Sequence, residues 1–186
     1  MQIEVIQGDI TKLVVDCIVN AANPALVPGG GVCGAIHRAA GPELAKACEQ
    51  FEMGCHTGDV EITPGFNLPA EYVIHAVGPI YHDGTRGESL LLRSTYQRAL
   101  ELAARFKFKT IAFPAISTGI YGYPLDEACA IAVDAIRGLP VLRIGTSVTA
   151  IRHIEDIDPV SNHKLETVFL IAFDEKTYSA LCRATG

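Results

Sequence analysis

Apolar positions along the chain follow two alternating rhythms, one of period two and one of period 3.6. Residues 2–7 alternate as a short strand. Val14 to Val19 is a compact apolar run interrupted by Asp16, and it ends in Asn20-Ala21-Ala22-Asn23-Pro24. Thr57 to Thr63 alternates again, and Tyr72 to Val77 is a further strand closed by Gly78-Pro79. Thr110 to Ala115 and Thr167 to Phe173 read as buried strands. Between these runs the spacing turns helical. It predicts helices over Val32–Ala40, Pro42–Phe51, Glu88–Phe106, Leu125–Arg137 and Glu175–Arg183. The long one carries Leu91, Leu92, Tyr96, Leu100 and Ala103 on one face. Pro42 and Pro124 stand near helix starts, where a missing N–H does no harm. Strands alternating with helices predict an α/β class with a mostly parallel or mixed sheet and helices on its faces.

Ligands of such sheets bind beyond the carboxyl ends of the strands. The pattern places Asn20 and Asn23, Ser117–Tyr121 and Phe173 at strand ends. Gly29-Gly30-Gly31 precedes the helix that carries Val32, Ala35, Ile36 and Ala39 as its apolar stripe. A glycine loop running into a helix N-terminus offers unpaired N–H groups and the positive end of the helix dipole, which suits a phosphate. An ordinary turn is the alternative for this loop, as it is for the two asparagines. Ile116 to Pro124 is a second glycine-bearing loop between a strand and a helix.

One stretch departs from the rhythm. Residues 139–166 are long for a link between a helix and a strand, with Val141–Ile151 apolar and His153–Lys164 polar. We read 1–186 as a single domain with an insertion at about 140–166, which has room for a short hairpin.

Composition narrows the function classes. The length suits one domain with a real core. The formal net charge is −6 and no Lys/Arg block occurs, which argues against duplex nucleic acid. A small anion remains compatible, since backbone dipoles hold phosphates on acidic proteins. No apolar run reaches membrane-spanning length, and the N-terminus reads as a strand rather than a signal peptide. The expected location is cytoplasmic. The six cysteines are scattered with no Cys-x-x-Cys pair. Cys55-His56 would be half a metal site with no matching second half.

Five motifs in order then carry a resemblance over nearly the whole chain. They are Gln7-Gly8-Asp9-Ile10-Thr11, Ile18-Val19-Asn20-Ala21-Ala22-Asn23-Pro24, Gly29 through Pro42, His75-Ala76-Val77-Gly78-Pro79, and Phe113 through Pro124. The chain resembles a macrodomain, and within that family the MacroD-type branch that includes bacterial O-acetyl-ADP-ribose deacetylases. The resemblance implies a three-layer α/β/α sandwich with a mixed central sheet and ADP-ribose bound in a cleft at the sheet edge. It implies hydrolysis of O-acetyl-ADP-ribose, or of mono-ADP-ribose esters on acidic side chains of ADP-ribosylated proteins. No metal and no cofactor is implied.

By motif position, Asp9 would accept a hydrogen bond from the adenine amino group, with Ile10 beside it and Phe173 stacked near the ring. Gly30, Gly31 and Val32 would offer N–H groups to the diphosphate. Ser117, Thr118, Gly119, Ile120 and Tyr121 would close over it. Asn20 joins the ligand-binding set, and Asn23 and Tyr121 would flank the distal ribose. Taken without the resemblance, Asp9 could be a turn or N-cap residue and Phe173 a core residue.

Cys33 departs from the family pattern, which has aspartate there to orient or activate the attacking water. A thiol accepts hydrogen bonds weakly and positions water poorly. Three readings follow. The pocket binds and hydrolysis is lost or slowed, making the chain a reader of ADP-ribose. Alternatively, a substrate phosphate activates water held by the Gly30 and Gly31 backbone and Asn23. In the third, Cys33 itself acts as a thiolate at the helix N-terminus, with His37 four residues on. His37 belongs to the family pattern regardless, which fits a role in supporting the loop.

Overall fold

The computed structural model describes residues 1–138 and 165–186. The apolar stretch Val141–Ile151 and nearly all of the expected insertion lie outside the described residues.

In chain order the elements are β1 (Gln2–Gln7), a short 3-10 helix (Ile10–Lys12), β2 (Cys17–Ala21), α1 (Gly31–Ala40) and α2 (Pro42–Cys48). They continue with β3 (Val60–Pro64), β4 (Tyr72–Ala76), α3 (Glu88–Arg105), β5 (Thr110–Pro114), α4 (Leu125–Arg137), β6 (Thr167–Ala172) and α5 (Glu175–Thr185). The six strands form one sheet in the order β1-β6-β5-β2-β4-β3. Five run parallel, and β3 pairs antiparallel to β4 at one edge. The mixed α/β sheet expected from the pattern is present.

Side-chain alternation sorts the two faces. Cys17 and Val19 of β2 and Ile74 and Ala76 of β4 face the layer of α3, α4 and α5. Ile18 and Val73, one residue out of phase, face α1 and α2 through Ile36, Ala40 and Leu44. Leu44, Ile36, Tyr96 and Phe113 are fully buried or nearly so, and each contributes about 1.5–3 kcal/mol by burial.

Some boundaries shift, for local reasons. The expected strand over Thr57–Thr63 begins only at Val60, because Gly58 takes φ +90° and Asp59 N donates back to His56 O at 3.0 Å. Val14 stands out in solvent, and β2 starts after Asp16. The Asp16 carboxylate explains the interruption: it accepts from Lys109 N and Thr110 N at 2.7 Å each, pinning the start of β2 to that of β5. α2 stops at Cys48 rather than Phe51. No described helix is long and apolar enough to cross a membrane.

Candidate functional site

The carboxyl ends of the parallel strands lie side by side. Across the sheet edge they present Asp9 after β1, Phe173 after β6, Ala115–Tyr121 after β5, Ala21–Asn23 after β2 and Gly78 after β4. A cleft runs over the last three. Ala21, Ala22 and Asn23 line it from β2, Gly29 through Cys33 from the start of α1, and Gly78 with Ala115 through Ser117 and Gly119 through Tyr121 from the other side. No charged side chain is among these residues.

Backbone donors dominate instead. The first N–H groups of a helix have no partner within it. Those of Gly30, Gly31 and Val32 donate to no acceptor among the described residues, and neither do those of Gly119, Ile120 and Tyr121. The two loops therefore face each other with unpaired donors, and α1 adds the positive end of its dipole. Gly31 takes φ +57° and Ser117, without glycine's freedom, takes φ +69°. A left-handed serine costs about 1 kcal/mol or more and is kept where the surroundings over-determine it. Here Tyr123 N holds the Ser117 carbonyl at 2.9 Å. Ser117 is only 6% exposed, and its hydroxyl has no partner. Ile120, 82% exposed, projects at the rim, with its Cδ1 3.0 Å from where a side chain on Gly30 would begin.

Asn23 lines the cleft, yet its amide is already engaged. Nδ2 donates to Val27 O at 2.7 Å, and Val27 N donates to Oδ1 at 3.2 Å. This pair closes the loop that delivers the glycines. Tyr121 also lines the cleft, and burial, then the nearby Cys33 sulfur, raises the pKa of its phenol.

Cys33 is 5% exposed and lies in the cleft wall. Its Sγ accepts from Asn20 Nδ2 at 3.7 Å and donates to Val27 O at 3.8 Å. Asn20 was expected to touch the ligand. Instead it is fully buried behind Cys33 and lines no part of the cleft, because the β2 alternation turns it toward α1. Its Nδ2 also meets His75 Nδ1 at 3.1 Å, in register across β2 and β4. His75 Nε2 lies 2.9 Å from Thr63 Oγ1 and 3.7 Å from Cys48 Sγ. Burial, with His37 nearby, pushes the His75 pKa down to about 3, so the ring is neutral. Thr63, His75, Asn20 and Cys33 thus form a polar rung through an apolar layer, ending at the cleft. Asn20 Oδ1 has no partner, which costs about 1–3 kcal/mol.

His37 does not pair with Cys33. Both its ring nitrogens are buried without a partner, and burial lowers its pKa. Thr118 turns away from the cleft, its hydroxyl donating to Ala115 O at 2.8 Å.

At the other end, β1 and β6 are paired and Gly8 N donates to Ala172 O at 2.8 Å, so Asp9 and Phe173 follow from adjacent strand ends. Phe173 is 86% exposed, which removes the core alternative. Asp9 Oδ1 caps the short 3-10 helix through Thr11 N and Oγ1, and these bonds hold its carboxyl below the usual carboxylate range. Ile10 is buried beneath them. Sequence reasoning assigned no site role to the wall residues Ala21, Ala22, Ala115 and Ile116, nor to the close approach at Gly78. A Cβ on Gly78 would meet Ser117 Oγ at 2.3 Å. The Gly-Pro after β4 is visible in the sequence as a stop signal and as part of the motif that begins at His75, and neither tells of the approach from Ser117. Among the described residues no cluster of His, Cys, Asp and Glu could hold a metal.

A profile of the Macro domain family matches residues 19–132. The chain belongs to the macrodomain family. A macro domain-containing protein of Chlorobaculum tepidum is 57% identical over 135 residues, 73% of this chain and 78% of that protein. A protein of Enterobacter cloacae named O-acetyl-ADP-ribose deacetylase is 57% identical over 138 residues, 73% of this chain and 77% of its own. Among solved macrodomains, a variant from Oceanobacillus iheyensis, solved with ADPR, is 40% identical with a TM-score of 0.81, covering 98% of this chain and 90% of that one. The Trypanosoma brucei macrodomain in complex with ADP-ribose is 36% identical with a TM-score of 0.80, covering 100% of this chain and 69% of that one.

Proposed function

We propose that this macrodomain binds ADP-ribose and hydrolyses O-acetyl-ADP-ribose or mono-ADP-ribose esters on acidic side chains. The observation that carries the reading is the pair of facing loops with unpaired N–H groups and, among the described residues, no charged side chain between them. A diphosphate is an array of acceptors without donors, and such a cradle holds it through charge-assisted bonds. Asp9 and Phe173, at the neighbouring strand ends, suit the adenine amino group and ring. The distal ribose then falls toward Asn23, Tyr121 and Cys33. The named deacetylase of E. cloacae and the solved complexes with ADPR and ADP-ribose support the ligand class.

Ester cleavage needs an activated water. Among the described residues no carboxylate or imidazole lines the cleft. The base within reach is a phosphate oxygen of the substrate itself, held by the Gly30 and Gly31 amides, with Asn23 placing the ribose. The thiol of Cys33 adds no base of useful strength in this role.

Loss of label from mono-ADP-ribosylated protein, and acetate release from O-acetyl-ADP-ribose, test the reading against Asn23→Ala. ADP-ribose affinity is measured alongside, since Asn23 also braces the glycine loop. Turnover in the wild type that drops at least tenfold in the variant is expected, and equal turnover in both would sink the hydrolytic reading. The second reading, a binding module without turnover, is favoured specifically by Cys33, and ADP-ribose binding with zero turnover selects it. Absence of ADP-ribose binding refutes both.

A further inference from the structure

We infer that Glu88 is a positioning residue: its carboxylate locks the loop of residues 81–87, and through Tyr81 that loop holds Tyr121 in place at the distal end of the cleft. The consequence for ligand binding rests on the ADP-ribose reading above; the hold on the loop does not.

Glu88 opens α3 and is 2% exposed, the only buried carboxylate among the described residues. It forms no ion pair with them. A charge taken out of water has to be compensated by hydrogen bonds, and here backbone amides supply them. Oε1 accepts from His82 N at 3.2 Å and Oε2 from Arg86 N at 2.7 Å. Burial works against the charge, yet the amides of Glu88 itself, His82, Arg86 and Asp83 outweigh it and hold the carboxyl below the usual carboxylate range. The tip of the loop is fixed separately: Asp83 Oδ1 accepts from Thr85 N at 3.0 Å and from Thr85 Oγ1 at 2.7 Å.

The braced loop bears on the cleft through Tyr81. Its N–H donates to Tyr121 O at 2.8 Å. Among the described residues, this is the one hydrogen bond that reaches residues 118–122 from a distant part of the chain. The Tyr81 ring meets that of Tyr123 with 4.7 Å between centroids, and its hydroxyl lies 3.1 Å from where a Cβ on Gly84 would begin. The ring is therefore clamped between the two loops. The Tyr121 phenol makes no hydrogen bond among the described residues, and it lies in the cleft near the Cys33 sulfur. Its aim depends on where its backbone is held.

α3 grips the other end of the same wall as well. Tyr96 Oη donates to Pro114 O and accepts from Ile116 N, both at 3.2 Å, at the exit of β5. One helix thus fixes the wall at its entry through a buried phenol and at Tyr121 through Glu88. Starting a helix needs no buried charge, since a short polar side chain at the cap does that at the surface. A carboxylate accepting only backbone amides is explained by the loop it stiffens. Glutamine keeps the shape but turns an NH2 group toward donors, so the grip is lost on one side.

The test uses the full chain with Glu88→Gln. Hydrogen exchange followed by NMR reads the Tyr81 amide, which reports the bond to Tyr121. The control is the Ala22 amide, which donates to Ala76 O at 3.0 Å in the centre of the sheet. We expect Tyr81 to exchange at least tenfold faster in the variant, with Ala22 unchanged within twofold. A merely structural role would speed both together. Calorimetry is expected to show at least a fivefold loss of ADP-ribose affinity. Unchanged exchange at Tyr81, or equal acceleration at Ala22, overturns the proposal. A loosened Tyr81 amide with wild-type ADP-ribose affinity overturns the positioning of Tyr121. If Glu88→Gln does not fold, Tyr81→Ala decides. It removes the clamped ring at a half-buried position, and the same local acceleration at residue 81 and loss of affinity are expected; wild-type values for both overturn the proposal. Failure of the wild type to bind ADP-ribose refutes the proposed function, while the exchange rates still decide whether Glu88 holds the loop.

Discussion

Gly34 gives the sharpest test of how the cleft is built. It sits inside α1, where alanine normally stabilises a helix by about 1 kcal/mol relative to glycine. A Cβ at this position would lie 2.4 Å from the carbonyl oxygen of Gly29, against the 3.4 Å where ordinary contact begins. Gly34→Ala must therefore push the Gly29–Gly30 loop away from the helix by about 1 Å. Overpacking of this kind costs about 1–3 kcal/mol, so the net change in stability is a loss of no more than about 2 kcal/mol. Ligand binding suffers more. Each hydrogen bond to a charged group is worth about 1.5–3 kcal/mol, and a 1 Å displacement forfeits at least one of them. The expected fall in ADP-ribose affinity is about 10- to 150-fold. Titration calorimetry with ADP-ribose and a thermal melt of the same sample read both effects. Wild-type affinity together with a raised Tm would mean that only helix propensity had changed, and the account of Gly34 as the seat of the loop would be wrong.

Cys33→Asp places a carboxylate where the thiol stands, next to the Asn20 amide. It is expected to raise hydrolysis by about a hundredfold, the low end for an added general base, with ADP-ribose affinity held within about tenfold, or 1.4 kcal/mol; acetate release alongside calorimetry checks both, and unchanged turnover would show that position 33 does not limit catalysis. Stability is expected to fall in acid. His75 titrates near 6.5 in the unfolded chain and near 3 in the fold, so between these values the unfolded state binds the extra proton and stability drops as pH falls, by about 1.4 kcal/mol per unit, while above 6.5 this contribution is flat. At pH 5 the loss relative to pH 7 is about 2 kcal/mol, with His37 acting in the same direction. Urea melts of wild type and His75→Gln at both pH values measure it, and an equal acid loss in the two proteins would exclude His75 as the source.

The alternation of strands and helices was legible because each element buries a single face. Leu125–Arg137 is delimited as the sequence places it, by Pro124 at one end and Gly138 at the other. The strand that failed to start at Thr57 shows the limit, since alternation continues through a turn whose geometry only Gly58 reveals. The glycine loop was legible as a donor array because three glycines and a helix start have few other uses. Its counterpart at Gly119–Tyr121 depends on Ser117 adopting a left-handed backbone, and nothing in the residue type announces that. Gly78 needs to be glycine only because Ser117 and Ile116 approach it from another strand, so no local pattern could carry the requirement.

Asn20 is the instructive error. It was assigned to the ligand because it ends a buried strand next to Asn23. Period two already contained the correction: Ile18 and Asn20 share a face, Val19 and Ala21 the other, and the first face is the one α1 covers. His75 lies on that same face through Val73. What one strand cannot disclose is that the two meet in register, and that Cys33 comes down upon them from the helix. A polar rung buried at the cost of an unpaired carbonyl is not needed to hold an apolar layer together; leucine or valine would do that better. Its one outward-facing contact is the Cys33 sulfur. The ligand cradle is made of backbone and is indifferent to side-chain chemistry, so the chain's particular character is concentrated at this single point, where a buried amide fixes the orientation of a thiol in the cleft wall.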